Sequence, residues 1–291
     1  MTNLGVDLCG LHLHNPLVLA SGPLSWNGAG IRAAFAAGAA GVVTKTIRLE
    51  GALNPVPHIA ALEGGSALNT EGWSDLPAKQ WIEQEIPSLA GRDGVLIASV
   101  GQTPAEVELL AARLADAGAD MLELVSYRAG DAAPMVTTAK RAVSVPVLVK
   151  VSANWPNLLD VVDACLLAGV DGITAIDSVG PALRVDVERG LPVLGSFGWL
   201  SGRAIRPIAM RVVAEICLCQ DLPVVGTGGV TGTKDIVEMV MAGATAVGVH
   251  TAPLLRGLDW FRRTLAGRSG PRLHQRPARP CSAASAGAGV S

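Results

Sequence analysis

Two lysines sit inside otherwise apolar runs: Lys45 in GVVTKT and Lys150 in VLVKVSA. An unpaired ammonium is costly to bury. Each lysine therefore either reaches a polar partner or an anion, or snorkels to the rim of the fold. A third feature is GTGGVTG, residues 226–232, whose glycines leave backbone N–H groups open to an anion ahead of a helix start near Gly232. The competing reading of these glycines is a plain tight turn. A phosphate grip beside a strand-end lysine would also equip a non-redox enzyme, with Lys150 forming a Schiff base to a carbonyl substrate. Another apolar run ends in Ser126-Tyr127-Arg128, which adds two hydroxyls and a guanidinium. The five cysteines form no C-x-x-C pair, which argues against a disulfide framework, a four-cysteine zinc site or an iron–sulfur cluster. Cys217 and Cys219 lie two apart in a predicted helix and so face opposite sides, as packing residues do.

The elements that must position these residues repeat along the chain. Short apolar runs occupy Leu17–Ala20, Gly41–Thr46, Val95–Gly101, Asp120–Val125, Val147–Val151, Gly172–Ile176, Pro223–Gly226 and Thr245–Val249. Most lack polar alternation, as parallel strands buried on both faces do. Amphipathic stretches at Gly28–Ala37, Pro104–Ala117, Pro156–Ala168, Gly202–Gln220 and Gly232–Ala242 read as the intervening helices. AAGAAGV, DAGADML, LAGVDGI and MAGATAV each read as a helix that ends at Gly and feeds a strand. Eight such units over residues 1–265 predict an α/β fold, a (β/α)8 TIM barrel. A doubly wound sheet is the rival, but GTGGVTG does not have the G-x-G-x-x-G spacing and comes late in the chain. Upstream, VDLCGLHLHNP predicts a small hairpin that plugs the barrel's N-terminal end. Leu49–Ser74 is a long insertion after the second strand, of the kind that carries function. Residues 266–291, rich in Arg, Pro, Ser and Gly and without an acid, read as a disordered tail.

Composition limits the partners. Lys and Arg total 23 against 25 Asp and Glu, a net charge of −2, which gives no electrostatic case for nucleic acid. No run of 18 apolar residues predicts a membrane span, and no basic leader precedes Asp7. The expected setting is a reducing cytoplasm.

In a barrel of this kind the chemistry sits where the strands end. The motifs there match a family in order: NPLVLASGPL, GAAGVVTKT, NPVPHI, LNTEGW, VLVKVSAN, AIDSVGPAL, LSGRAIRPIAM, VVGTGGV and GATAVGVHTA. Together, from about Leu4 to Arg262, they resemble the class 1 dihydroorotate dehydrogenases and related FMN barrels. The resemblance implies FMN as cofactor and hydride transfer between flavin N5 and a small cyclic substrate with a CH–CH or C=C bond. It implies that Ala20, Ser21 and Gly22 lie against the flavin, and that Lys45 and Thr46 contact its ring system. It implies Lys150 at the N1/O2 edge, where a fixed cation stabilises the reduced anion. Ser178 would bond the flavin or its ribityl chain, and Gly202, Gly228, Gly229 and Thr251 would hold the phosphate. Asn69 would be a substrate-side amide. The resemblance also implies a homodimer, with some members paired to an iron–sulfur flavoprotein that passes electrons to NAD.

The chain departs from the family at the loop after the fourth strand. The family reads roughly E-L-N-x-S-C-P-N there, or with Ser for Cys, and this chain reads ELVSYRAGD. An ungapped alignment puts Arg128 at the base position; one deletion aligns Ser126 and puts Tyr127 there. Tyr127 and Ser126, with Lys45, are the expected catalytic residues. A free tyrosine is a better proton donor than base at pH 7. Arg128 could grip a substrate carboxylate, or Tyr127 and Arg128 could simply be solvated loop residues. Asp177 replaces the family's Asn beside the substrate and would disfavour a second carboxylate nearby. His58 replaces the family's Arg. Trp26, Trp73, Trp155 and Trp199 fall in loops near strand ends and could form an aromatic pocket mouth. The eroded loop also leaves open a flavin-binding subunit without catalysis.

Overall fold

The computed structural model describes residues 4–267. Residues 268–291, most of the expected disordered tail, lie outside the described residues. The chain opens with a hairpin, β1 (Val6–Leu8) and β2 (Leu11–Leu13), paired antiparallel. Leu8 and Leu13 are fully buried and pack among Val18, Ile97, Met121, Leu148 and Val225. These are inward-facing residues of the barrel strands near their N-terminal ends, so the hairpin is the expected plug.

The barrel then builds in chain order: β3 (Leu17–Leu19), α1 (Gly28–Ala36) and β4 (Gly41–Val43), followed by an inserted hairpin, β5 (Ile59–Leu62) and β6 (Ser66–Asn69). A short turn of helix, α2 (Ala78–Gln80), leads on to β7 (Val95–Gly101), α3 (Pro104–Asp116), β8 (Met121–Val125), α4 (Ala132–Ala142) and β9 (Val147–Val151). Next come α5 (Leu158–Leu167) and β10 (Gly172–Ala175), then four short strands: β11 (Val179–Ala182), β12 (Val185–Asp186), β13 (Leu191–Pro192) and β14 (Gly198–Gly202). The chain ends with α6 (Arg206–Cys219), β15 (Val224–Thr227), α7 (Thr233–Met241), β16 (Ala246–Val249), α8 (Thr251–Arg256) and α9 (Trp260–Ala266). Strands β3, β4, β7, β8, β9, β10, β15 and β16 pair in parallel and close on themselves. These are the eight predicted runs.

Local chemistry sets the helix starts. Asn27 accepts a hydrogen bond from the Gly30 N–H at the head of α1, and Thr103 with Pro104 opens α3. α4 was not among the predicted helices. Its adjacent threonines weaken the helical signal, and their hydroxyls donate back to Ala133 O and Pro134 O, as mid-helix threonines do. The helix predicted from Gly202 begins at Arg206 instead, because Gly202 ends strand β14 with φ +81. The main core fills the space between strands and helices. Leu17, Val42, Leu96, Leu122, Val149 and Ile173 point outward into it, beside the fully buried Trp81 and Phe261.

The insertion at Leu49–Ser74 is not a loose loop. β5 and β6 join β14 and β11 in a four-stranded antiparallel sheet, in the order β11-β14-β6-β5. Trp199 pairs with Asn69 and Gly202 with Ser66. The segments following β4 and β10, far apart in sequence, are thus joined at the C-terminal end of the barrel.

Candidate active site

Successive strand residues alternate between the barrel interior and the helices. Leu148 faces inward at the plugged end, so Lys150 faces inward two residues later, and Met121 and Glu123 stand in the same relation. The inner face is therefore apolar at the bottom and ionic at the top. Above it opens a cavity of about 580 Å³ at the strands' C-terminal ends.

At one side lie the glycines. Gly228 and Gly229 have φ of +127 and +77, conformations that favour Gly. Their N–H groups take part in no hydrogen bond among the described residues. A Cβ on Gly229 would lie 2.4 Å from Arg206 Cβ, so the turn also packs too tightly for a larger residue. Gly202 and Thr251 complete this side, with a 2.9 Å hydrogen bond between the Thr251 and Ser201 hydroxyls. Ala20, Ser21, Gly22, Thr46 and Ser178 line the same cavity.

Both lysines are buried there, and both have found carboxylates. Lys45 Nζ lies 2.9 Å from Glu71 Oε2, and His58 Nε2 lies 3.4 Å from Glu71 Oε1. Lys150 Nζ lies 3.1 Å from Asp177 Oδ1, which also accepts the Ser178 N–H at 2.8 Å. Burial disfavours the Lys150 ammonium, but Asp177 and Glu123 outweigh it and push its pKa up. Below it, burial raises the pKa of Glu123. Thr174 donates to its Oε2 at 2.8 Å, while its buried Oε1 has no partner. At the end of β16, burial together with Lys45 and Lys150 pushes the His250 imidazole down to about 3, so the ring is neutral. Its Nε2 accepts a long 3.4 Å bond from the Leu24 N–H.

Tyr127 stacks on Trp199, with ring centroids 5.9 Å apart and planes 10° from parallel. Burial, and then the nearby Asp177, raises the tyrosine pKa, so the phenol keeps its proton. Ser126 is buried, and its Oγ accepts the Arg128 N–H at 3.0 Å. Asn69 lines the cavity with its amide already engaged: Nδ2 donates to Trp199 O and Oδ1 accepts from the Glu71 N–H. Arg128 is outside the cavity lining. Its side chain is 84% exposed, with Asp131 as an ion partner at 3.8 Å. Of the four loop tryptophans, Trp73, Trp155 and Trp199 line the cavity, whereas Trp26 does not.

Sequence reasoning passed over Glu71 and Gln102 and placed His250 at a strand end without a role; all three line the cavity. His250 follows β16 in the inward register and could have been placed inward by strand parity. Glu71 had no such signal, because it lies in an irregular stretch just after β6.

The arrangement fits FMN. Two unbonded N–H groups and a threonine hydroxyl can take a phosphate, the cavity admits a flat ring system, and a buried ammonium stands ready for the negative edge of a reduced flavin. Comparison with known proteins agrees. The family model described as dihydroorotate dehydrogenase matches residues 3–267. The chain is 34% identical to the dihydroorotate dehydrogenase B (NAD(+)) catalytic subunit of Methanothermobacter thermautotrophicus, over 91% of both chains. It is 34% identical to the Pyrococcus abyssi protein of the same name, over 91% of this chain and 93% of that one. A dihydroorotate dehydrogenase A (fumarate) from Lactobacillus delbrueckii subsp. bulgaricus is 32% identical, over 87% and 88%.

Proposed function

The chain belongs to the dihydroorotate dehydrogenase family and is an FMN-dependent oxidoreductase acting on CH–CH groups, and from this we propose how its residues divide the work. FMN, when bound, supplies the site that gives or takes the hydride at the ring of a small cyclic substrate. We assign the phosphate to the N–H groups of Gly228 and Gly229, with Gly202 and Thr251 beside them. Lys150 holds a fixed positive charge at the ring edge, kept protonated by Asp177 at 3.1 Å. Ala20, Ser21, Gly22, Lys45, Thr46 and Ser178 shape the remaining cofactor contact, and Lys45 also faces the reacting ring. Asn69 and Asp177 border the substrate.

Tyr127 holds a proton at Oη for the substrate carbon opposite the hydride. Its raised pKa keeps it protonated at neutral pH, so it can give that proton but not take it, which favours reduction of a C=C bond by this route. Ser126 is the other hydroxyl in reach of that role. Trp155, buried at the cavity wall, and Trp199 keep water from the ring.

The observation that carries this reading is the meeting, in one cavity, of the unbonded Gly228 and Gly229 amides with a buried, ion-paired Lys150. The Schiff-base alternative needs a neutral amine, and Lys150 is held as an ammonium. A flavin subunit without catalysis finds no support in relatives named as catalytic subunits. Those names support a second, electron-carrying subunit for this chain, for which an iron–sulfur flavoprotein is our candidate, alongside a homodimer. No described helix is long and apolar enough to cross a membrane, and we place the reaction in the cytoplasm.

The test is an absorbance spectrum of the purified protein, followed by anaerobic addition of dihydropyrimidines. We expect an oxidised-flavin spectrum that bleaches with one of them. Absence of flavin even after FMN is supplied would overturn the reading.

A further inference from the structure

Building on the flavin reading above, we propose that the substrate is an uncharged ring with amide-like edges, and that Glu71 and Asp177 exclude a ring bearing a carboxylate. Every lysine lining the cavity faces a carboxylate lining the same cavity. Lys45 and Glu71 are 2.9 Å apart with 8% and 9% of their side chains exposed. Lys150 and Asp177 are 3.1 Å apart. His58, the remaining basic side chain beside this pair, is turned to the same Glu71. The two nearby arginines are committed elsewhere. Arg48 makes two hydrogen bonds to Glu106, at 2.7 and 3.1 Å, and lies over the Trp73 ring, and Arg128 points to solvent. His250 carries no charge at neutral pH.

Among the described residues, a carboxylate entering this space would meet two carboxylates and no free cation. To gain one it would have to break an existing pair and leave a buried acid uncompensated, which is strongly unfavourable. A cationic substrate fares no better, because Lys45 and Lys150 stand on the same walls. What remains for recognition is neutral: the Gln102 amide beside its partner Tyr127, the Ser126 and Ser152 hydroxyls, and the flat surfaces of the Tyr127–Trp199 stack and of Trp155. Such a lining suits a planar ring with N–H and C=O edges. The ionic pairs thus act as a filter against charge as well as holding Lys150 protonated.

The test compares one ring with and without its carboxylate on the FMN-loaded protein. Orotate and uracil are titrated by calorimetry, and dihydroorotate and 5,6-dihydrouracil are added anaerobically while flavin bleaching is followed. Uracil is expected to bind at least about tenfold more tightly than orotate, a difference of one charge-pair adjustment. Asp177→Asn and Glu71→Gln each release a lysine, and each is expected to raise orotate affinity about tenfold relative to uracil. A purely structural role for these acids would weaken both ligands alike. FMN content and melting temperature report whether each variant folds, and the parent comparison stands without them. Tighter orotate binding by the parent overturns the proposal, as does binding of neither ring or an equal loss for both ligands in the variants. Bleaching by dihydroorotate in that case leaves the flavin oxidoreductase intact, whereas a parent that binds no FMN removes that reading itself.

Discussion

The two hydroxyls after β8 differ in what they can hold. Tyr127 is protonated up to and beyond the ordinary tyrosine pKa of about 10. If it is the acid, the rate of substrate reduction is flat through neutral pH and falls only as pH rises through that raised value. Tyr127→Phe should lower the rate about 10²–10⁴-fold while FMN content stays constant. Stopped-flow reoxidation of reduced enzyme measures this, and a Tyr127→Phe rate within twofold of the parent would move the role to Ser126. His250 has the opposite shift. Its folded pKa, about 3, is below the ordinary value of 6.5, so the unfolded chain takes up a proton first. The stability it contributes is complete above about pH 6.5 and declines as pH falls toward 3. Melting curves should show a fall between pH 6.5 and 5 that His250→Gln reduces. The lysines were legible in the sequence because an ammonium stands out in an apolar strand. Their partners were not: Glu71 follows Lys45 by a hairpin, and Asp177 pairs with Lys150 across neighbouring strands.

At the scale of elements, the barrel strands could be read directly, since both faces are buried and the apolar runs are unbroken. The small sheet over the mouth could not. Its strands are short, and its central pairing joins Trp199 to Asn69 across 130 residues, a contact no local pattern encodes. One glycine tests its importance. Gly202 has φ +81, and a Cβ there would come within 2.5 Å of Gly65 O and 2.9 Å of Thr251 Cγ2. Gly202→Ala should cost about 1–3 kcal/mol in urea unfolding and weaken FMN retention. Unchanged stability and retention would mean that the junction between β6 and β14 yields easily.

For the whole molecule, a cofactor that binds only the folded chain stabilises it by mass action. With FMN at a hundred times its dissociation constant the gain is about 2.7 kcal/mol. For a domain of this size that corresponds to a melting temperature about 5 °C above that of the flavin-free protein. Equal melting temperatures with and without FMN would mean that the folded chain does not bind the cofactor in preference to the unfolded one. The cavity itself is assembled from two sources. The phosphate side comes from the turns after β15 and β16 together with Gly202 at the end of β14, and the opposite wall from the segments after β4, β8 and β10. Selection can therefore act on the two walls independently. Mutations in residues 49–75 and 126–131 can change which molecule is transformed, while the machinery for capturing the flavin is inherited intact. A lineage built this way can acquire a new metabolite without passing through a cofactor-less ancestor.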